Sequence, residues 1–383
     1  MIYLDHAAAT PVDKRVLEAM EPYFECEFFN PSAAYLPAKK VATEYEVAKG
    51  VIAHAIGAKA SDLVITAGAT EANNLAFTAV SQRESRDDIH ALYLETEHDS
   101  VRAVAEQYGC EAIKVLPNGL IDLADLRAKL TDEVELVSVA LVNNEIGTIQ
   151  PLAEVAKLIR EVRIDRMRRG IRRQLLLHSD ASQALNLLDI NVARLGVDLL
   201  TMNAAKVYGP KGVGALYVGH EVKLSPLTRG GGQEKGLRSG TENVPGVIGF
   251  AKAVELAKEH LNGNRKKYAK WRKILLEELQ GYELVNKKHT LDNFVVISYP
   301  GVDAERLIFL LEEREIYVAT GAACAASKGV RSHVLKAIGL PEEQIAGSLR
   351  LTLGETNSET QVHEAACIIN EVVAAERRRL QNN

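Results

Sequence analysis

"VDLLTMNAAKVYGPKGVGALYV", residues 197–218, predicts a strand, a glycine-rich turn and a second strand. One lysine, Lys206, follows the first strand among the small residues Ala204, Ala205 and Gly209. A lysine acts as a nucleophile when burial or nearby positive charge disfavours its ammonium form. Two interpretations are open at this point: a surface loop that happens to contain Lys206, and a buried amine with another group bonded to it.

Four other segments of the chain show the same strand-then-turn pattern. They are "DLVITAGATEANNLAF" (62–77), "IHALYLETEHDS" (89–100), "VELVSVALVNNEIG" (134–147) and "RQLLLHSDASQ" (173–183). Apolar runs such as "LVSVAL" do not alternate with polar residues, which is typical of strands that helices cover on both faces. The sequence therefore predicts an α/β fold with a mainly parallel sheet.

Polar residues stand at the carboxyl ends of these predicted strands. They are Thr70, His98, Asn144, Asp180, Gln183 and Lys206. In open α/β sheets, ligands bind at this edge. Packing alone does not explain polar residues at the ends of five different strands, so we predict one shared site.

The pattern changes after "RSGTENVPG" (238–246). Two long amphipathic helices are predicted at about 246–261 and 264–280, and shorter strands and helices follow them. We expect a smaller α+β domain here, completed by the first dozen residues of the chain. The predicted domains are a large one at residues 15–250 and a small one at residues 1–14 and 251–383.

The composition limits the classes of protein to which this chain of 383 residues can belong. A net charge of −5 argues against direct binding of nucleic acid, since phosphates need a basic face. No apolar run reaches the roughly 18 residues of a membrane span, and the first residues do not have the pattern of a secretion signal. We therefore expect a cytoplasmic protein with reduced thiols and no membrane partner.

The four cysteines are too few and too scattered for a disulfide framework, and none has the spacing of a metal site. We expect Cys26, Cys110 and Cys367 to be inert residues of the core. Cys324 differs, because its neighbours in "ATGAACAASKGV" are small and offer no apolar stripe to bury it. We predict that Cys324 lies on a loop at about 320–331 and acts as a nucleophile.

Seven arginines stand in "REVRIDRMRRGIRR", residues 160–173. One interpretation is a solvated helix end, where basic side chains interact favourably with the helix dipole. The other is a docking patch for an acidic partner or RNA.

Two residues and one turn of the predicted site have both a structural and a functional interpretation. Asp180 either caps a helix or holds a cation, such as a protonated pyridine nitrogen. The turn "TAGATEANN" (66–74) is either a common strand-to-helix connection or a phosphate site at a helix N-terminus. His98 is either structural, or lies over a flat ring, or shuttles protons.

Taken together, the motifs resemble those of a known enzyme family. They are "YLDHAAATP", "FFNPSA", "GATEANNLA", "TEHDSV", "VNNEIGTIQP", "HSDASQ", "AAKVYGPKGVGALYV", "GGGQEKGLRSGTENVPG", "TGAACAAS" and "SLRLTLG". In this order they are similar to the cysteine desulfurases of the class V aminotransferases, in the iron–sulfur-cluster and nitrogen-fixation group. The resemblance implies a fold-type I pyridoxal-phosphate enzyme, with a mainly parallel seven-stranded sheet in a large domain and a smaller α+β domain.

The resemblance also implies a cofactor, pyridoxal 5′-phosphate, and a role for each residue around it. Lys206 bonds covalently to the cofactor, Asp180 pairs with the ring nitrogen and Gln183 meets the phenolic oxygen. His98 stacks on the ring and takes part in catalysis. The implied phosphate ligands are Ala69, Thr70, Asn203 and, from the second subunit of a homodimer, Thr241.

For the substrate, the resemblance implies that Asn144 and Arg350 bind the carboxylate of L-cysteine. Cys324 takes the substrate sulfur as a persulfide and leaves L-alanine. The sulfur passes to an acceptor protein for iron–sulfur cluster assembly or tRNA thiolation. No resident metal is implied, although transient ligation of an iron–sulfur cluster by Cys324 is compatible with this role.

The chain departs from the family pattern just before the lysine. The family usually has Ser or Thr, a small residue and then His, whereas this chain has Asn203, Ala204 and Ala205. Asn203 can still donate a hydrogen bond to a phosphate, but Ala205 cannot. Two alternatives to a cysteine desulfurase stay open: another activity of the same fold, such as a selenocysteine lyase or an aminotransferase, and a non-catalytic relative.

Overall fold

The computed structural model describes residues 1–80, 89–320 and 331–382 of the chain. Its strands are β1 (Ile2–Tyr3), β2 (Leu63–Thr66), β3 (Ala91–Leu94), β4 (Glu111–Ile113), β5 (Leu136–Ser138), β6 (Leu176–Asp180), β7 (Leu199–Asn203), β8 (Gly214–Val218), β9 (Glu283–Leu284), β10 (Phe294–Ser298), β11 (Ile316–Tyr317), β12 (Ala319–Thr320) and β13 (Ser348–Thr352).

The α-helices begin and end as follows: α1 (Lys14–Met20), α2 (Pro22–Glu25), α3 (Leu36–Ala55), α4 (Ala69–Phe77), α5 (Asp99–Gln107), α6 (Leu123–Lys129), α7 (Leu152–Arg168), α8 (Val192–Leu195), α9 (Val244–Glu278), α10 (Ala304–Glu312), α11 (His333–Ala337), α12 (Glu342–Ala346) and α13 (Glu359–Gln381). In the described ranges, no helix is both long enough and apolar enough to cross a membrane.

The central sheet has seven strands in the order β2-β8-β7-β6-β5-β3-β4. The pairs from β7 to β4 are parallel, and β8 is antiparallel to both of its neighbours. The buried apolar side chains around the sheet form two separate hydrophobic clusters. Neighbouring residues of one strand pack into different clusters: Leu176 of β6 belongs to one and Leu177 to the other. Since successive side chains point to opposite faces, both faces are covered. The predicted mainly parallel seven-stranded sheet is confirmed.

Strands from the second half of the chain form a smaller antiparallel sheet in the order β12-β13-β10-β9. The amino-terminal residues join this region: β1 pairs with β11, and Asp5 forms a bridge with Thr352 of β13. The amino terminus therefore runs beside β13 and then turns towards the carboxyl edge of the central sheet.

Helix α9 replaces the two helices that the sequence predicts at about 246–261 and 264–280. It runs unbroken through Gly263, because a glycine inside a helix costs only about 1 kcal/mol relative to alanine and no proline interrupts it. Packing against α1, α3 and α13 outweighs this cost and buries side chains such as Phe250 and Trp271. The domain boundary predicted at residue 250 falls inside this helix.

The three cysteines within the described residues are unpaired, but they do not all lie in the core. Cys26 and Cys367 are exposed and Cys110 is half-buried, so the expectation of three inert core residues is wrong for the first two. Cys26 ends the four-residue helix α2, which buries no side chain. Cys367 stands on an exposed face of α13, one turn from Glu371.

Most of the arginines of residues 160–173 bind groups of the same chain. Arg166 is buried and donates to the Thr131 carbonyl oxygen. Arg163 donates to the Leu175 carbonyl oxygen at 2.7 Å. Further intramolecular bonds join Arg169 to Asp132 and Arg173 to the Glu133 carbonyl oxygen. These side chains fix the end of α7 and the connection to β6, which favours the helix-end interpretation over a docking patch.

Candidate active site

One cavity of about 260 Å³ lies at the carboxyl edge of the central sheet. Most of the residues that the sequence assigns to a site line it, namely Ala69, Thr70, His98, Asn144, Asp180, Gln183, Asn203, Lys206 and Arg350. Two assigned residues are not among them. Thr241 is exposed and does not line this cavity of its own chain, and Cys324 lies outside the described residues.

Lys206 ends a single 3₁₀ turn, Ala204–Lys206, that directly follows β7. Asn203 caps this turn, since its Oδ1 accepts a hydrogen bond from the Ala205 N–H at 3.1 Å. The Lys206 Nζ donates to the carbonyl oxygens of Ala7, at 2.7 Å, and Ala8. Lys206 is therefore partly buried, which favours the interpretation as a buried amine over that as a surface loop. The amino-terminal segment fixes the direction of its side chain.

Asp180 is buried at the end of β6, with both carboxylate oxygens hydrogen-bonded. Oδ2 accepts from Asn73 Nδ2 and Oδ1 from the Ser182 N–H, each at 2.8 Å. Across the described residues, no basic side chain forms an ion pair with it. A buried carboxylate without a counter-ion is costly, so this one fits a ligand that brings positive charge, as a protonated pyridine ring does.

The turn before α4 offers backbone N–H groups to an anion. Gly68 precedes the helix with φ 147°, and the first N–H groups of an α-helix have no partner within it. Strand β8 approaches this turn closely: a Cβ on Gly214 would stand 2.8 Å from the backbone of Gly68. Together with the Asn203 side chain, these N–H groups can hold a phosphate group.

His98 caps helix α5 and also lines the cavity. Its Nδ1 accepts from the Ser100 N–H at 3.0 Å, which places the ring proton on Nε2 in the neutral form. The structural and functional interpretations of His98 are therefore compatible, because the cap fixes the ring beside the cavity.

Arg350 extends from β13 into the cavity wall and is 3% exposed. Its Nη2 donates to Asp5 Oδ1 at 2.6 Å and its Nη1 to the Asn144 carbonyl oxygen at 2.8 Å. The two residues predicted to bind the substrate carboxylate are thus in direct contact. Asp5, which the sequence analysis missed, stands in the "YLDHAAATP" motif.

Four further ionisable residues of the cavity wall were missed: Glu97, Asp99, Glu145 and His333. Burial and the charge of Asp180 raise the pKa of Glu97 to about 8. Burial raises the pKa of Glu145 to about 7, although Ser332 and Arg350 oppose this shift. Burial lowers the pKa of His333. Three of them could have been found from the sequence, because they stand directly beside a predicted site residue at a strand end. Glu97 precedes such a residue, and Asp99 and Glu145 each follow one.

Comparison with known proteins places this geometry in a family. The family model described as aminotransferase class-V matches residues 2–364. The chain belongs to the aminotransferase class V family. Among curated class V relatives, "Cysteine desulfurase IscS 1" of Archaeoglobus fulgidus is 37% identical over 371 residues, which cover 94% of each chain. "Cysteine desulfurase IscS" of Clostridium botulinum is 35% identical over 98% of this chain and 95% of its own.

Solved structures of similar proteins show the same fold. A protein described as NifS-like has a TM-score of 0.89 at 30% identity, and covers 98% of this chain and 99% of its own. A structure described as SspA in complex with cysteine has a TM-score of 0.80 at 32% identity, with 92% and 99% covered. The sequence and the fold therefore both support the assignment of this chain to class V.

Proposed function

We propose that the protein is a pyridoxal-phosphate-dependent cysteine desulfurase, which converts L-cysteine to L-alanine and keeps the sulfur as a persulfide on Cys324. One observation carries this proposal: the Lys206 amine lines the same cavity, at the carboxyl edge of the sheet, as the Asp180 carboxylate, which forms no ion pair with a basic side chain among the described residues. The cysteine desulfurases found as relatives over nearly the full length, and the cysteine complex of SspA, support the choice of substrate.

Each part of the cofactor has a matching group in the chain. Lys206 would provide the amine that holds it covalently, and Asp180 would pair with the ring nitrogen. The N–H groups of Ala69 and Thr70 and the Asn203 amide would hold the phosphate. Pyridoxal phosphate, when bound, supplies an electron sink that stabilises negative charge on the substrate carbon next to the amine.

The chain's own residues then orient the substrate and move its protons and sulfur. Arg350 and Asn144 hold the carboxylate, and Lys206 takes the proton from Cα and returns one. The Cys324 thiolate attacks the substrate sulfur, so that the substrate C–S bond breaks as an S–S bond forms on Cys324. The carbon that loses sulfur gains a proton and becomes the alanine methyl group, and no external oxidant or reductant is required.

We further infer a homodimer that acts in the cytoplasm and passes its sulfur to an acceptor for iron–sulfur cluster assembly or tRNA thiolation. Large apolar side chains of the first 36 residues are exposed on the single chain, among them Phe24 (66%), Phe28 (66%) and Leu36 (80%). Monomeric proteins seldom expose such a group, and a second subunit would cover it.

Alanine production from L-cysteine tests the proposal in three single variants. Lys206→Ala is expected to lose both the visible absorption of the cofactor and alanine production. Cys324→Ala keeps the absorption and loses alanine production, whereas Cys367→Ala, which removes an exposed thiol of α13, keeps both. Alanine production by Cys324→Ala would indicate another class V activity, and no absorption in the wild-type protein would indicate a non-catalytic relative.

A further inference from the structure

Glu97 is a buried carboxyl group that the reaction described above does not use. It follows β3 in the turn before α5, is 0% exposed, and lines the same cavity as Asp180. A fully buried carboxylate is costly unless a cation or several hydrogen bonds stabilise it. The surroundings of Glu97 therefore decide whether it is charged.

Those surroundings favour a neutral acid. Oε2 of Glu97 has no hydrogen-bond partner among the described residues. Oε1 lies 3.4 Å from Ser138 Oγ, which is long for a bond between two oxygens, and Ser138 Oγ makes a shorter contact of 2.9 Å with His178 Nδ1. Within the described ranges, no basic side chain forms an ion pair with Glu97.

The titratable neighbours do not supply the missing positive charge. Burial lowers the pKa of His178 to about 4, so its ring is neutral at physiological pH. His333 donates its Nε2 proton to the Glu97 backbone carbonyl oxygen at 3.0 Å, and burial lowers its pKa as well. The other ionisable groups around the cavity are His98, Asp99, Glu145, Asp180, Lys206 and Arg350. Of the two cations, Lys206 donates to the Ala7 and Ala8 carbonyl oxygens, and Arg350 donates to Asp5 and to the Asn144 carbonyl oxygen.

Asp180 is the neighbour that matters most. Both of its oxygens accept hydrogen bonds from N–H groups, so its hydrogen bonding requires no proton. Two carboxyl groups in one buried site do not both ionise readily, and one of them keeps a proton. The pKa of Glu97 is accordingly raised to about 8 by burial and by the charge of Asp180, although N–H groups of Ala140 and His98 oppose the shift.

We propose that Glu97 and Asp180 form a carboxyl pair that holds one proton, carried by Glu97, until positive charge reaches Asp180 and the pair gives that proton up. The pair then has a single negative charge in the cofactor-free protein and suits a ligand with a single positive charge. When the ligand's ring nitrogen arrives unprotonated, the Glu97 O–H bond breaks as a ring N–H bond forms, and this transfer creates the positive charge beside Asp180. When the ring arrives already protonated, the Glu97 proton passes to the solvent instead. The second half of this proposal rests on the proposed function, whereas the first half does not.

Infrared spectroscopy of the cofactor-free protein tests the first half. The carbonyl stretch of a protonated carboxylic acid, identified by its shift in deuterium oxide, is expected at neutral pH in the wild-type protein. Glu97→Gln is expected to lose this band, and the control Glu145→Gln, in the same cavity wall, to retain the Glu97 component. A wild-type spectrum without a Glu97-dependent band overturns the proposal.

Ser138→Ala keeps this test decisive if Glu97→Gln does not fold. The Ser138 hydroxyl favours the ionised form of Glu97, so its removal is expected to move the midpoint of the carboxyl band to higher pH. A midpoint that does not move contradicts the assignment of the band to Glu97.

Calorimetry tests the second half with pyridoxal 5′-phosphate as the probe. Binding is measured at neutral pH in buffers of different ionisation enthalpy, which gives the number of protons exchanged with the solvent. The wild-type protein is expected to take up about one proton fewer than Glu97→Gln, because the pair supplies it. If the wild-type protein and Glu97→Gln take up equal numbers of protons, the second half of the proposal is overturned. Failure of the cofactor to bind would instead contradict the proposed function, and the infrared band would persist.

Discussion

Lys206 shows how one side chain is placed by parts of the chain that are distant in the sequence. Its Nζ meets the backbone carbonyl oxygens of Ala7 and Ala8, in a turn that Tyr3 fastens with a 2.9 Å bond to the Ala9 carbonyl oxygen. The same turn supplies Asp5 to Arg350. The motif "YLDHAAATP" thus acts largely through backbone carbonyl groups, which explains how three consecutive alanines can belong to a site motif.

Asn203 gives the first prediction at this scale. Its Oδ1 caps the lysine turn, and its Nδ2 can donate hydrogen bonds to a phosphate. Asn203→Ala removes both and is expected to weaken cofactor binding about 10- to 100-fold, the usual effect of losing a hydrogen bond to a charged group. Asn203→Ser, which keeps a cap and a donor, is expected to bind much as the wild type does. Spectroscopic titration of the cofactor-free proteins measures this, and equal affinity of Asn203→Ala would exclude Asn203 as a ligand.

Glu97 predicts how stability depends on pH. Its pKa is about 8 in the folded protein and near the ordinary 4.5 in the unfolded chain. Its contribution to the free energy of unfolding is therefore complete below about pH 4.5 and declines as the pH rises towards 8, by about 1.4 kcal/mol per pH unit. Glu97→Gln lacks this decline, so its stability relative to the wild type should increase over that range.

Urea denaturation of the cofactor-free wild-type and Glu97→Gln proteins measures this difference at several pH values. Glu376→Gln provides a control, because Arg379 and Arg306 lower the pKa of Glu376 to about 2. The contribution of Glu376 to stability is lost only as the pH falls from about 4.5 towards 2, so the gap between wild type and Glu376→Gln should stay constant from about pH 5 to 8. A constant gap between wild type and Glu97→Gln from about pH 5 to 8 would show that Glu97 is ionised in the folded protein.

At the scale of the element, strands and turns were more predictable than the residues that complete the site. Strands β6 and β7 are short apolar runs with a polar residue at the end, so both the strand and the position of Asp180 or Lys206 follow from the pattern. The burial of Glu97 is different, because it depends on contacts such as that of His333, 236 residues further along. Periodicity does not report contacts between such distant segments.

Gly214 of β8 carries the prediction for an element. A Cβ at this position would stand 2.7 Å from the Met202 carbonyl oxygen and 2.8 Å from Gly68, and neither backbone can move away easily. Gly214→Ala is expected to cost about 1–3 kcal/mol of stability and to weaken cofactor binding, because it pushes on the turn before α4. Gly50→Ala, in α3 with no atom near the added methyl group, is expected to be neutral or stabilising. Thermal unfolding and cofactor titration compare the two, and an intact affinity in Gly214→Ala would contradict a phosphate site at this turn.

At the scale of the whole molecule, a single chain forms the cavity, but not every residue predicted to bind the cofactor lines it. Thr241 is exposed and lies outside the cavity lining, but its loop is firmly held. The side chain of Glu234, which is only 5% exposed, accepts hydrogen bonds from Lys49 at 2.9 Å and from Tyr45 at 2.6 Å. Arg238 of the same loop pairs with Glu71, beside the proposed phosphate ligand Thr70. A fixed loop with an exposed threonine that does not line its own cavity suits a residue that serves a second subunit.

Mixed dimers test this arrangement directly. If Thr241 acts in the partner's cavity, a dimer of one Lys206→Ala subunit and one Thr241→Ala subunit contains one complete site and one doubly defective site. Equal amounts of the two variants, unfolded and refolded together, should then regain about a quarter of wild-type alanine production, since half of the dimers are mixed and each has one working site. The two variants refolded separately and then combined provide the control. A mixture no more active than this control would place Thr241 in the cavity of its own chain or outside the reaction, because only a shared site gains from the exchange of subunits.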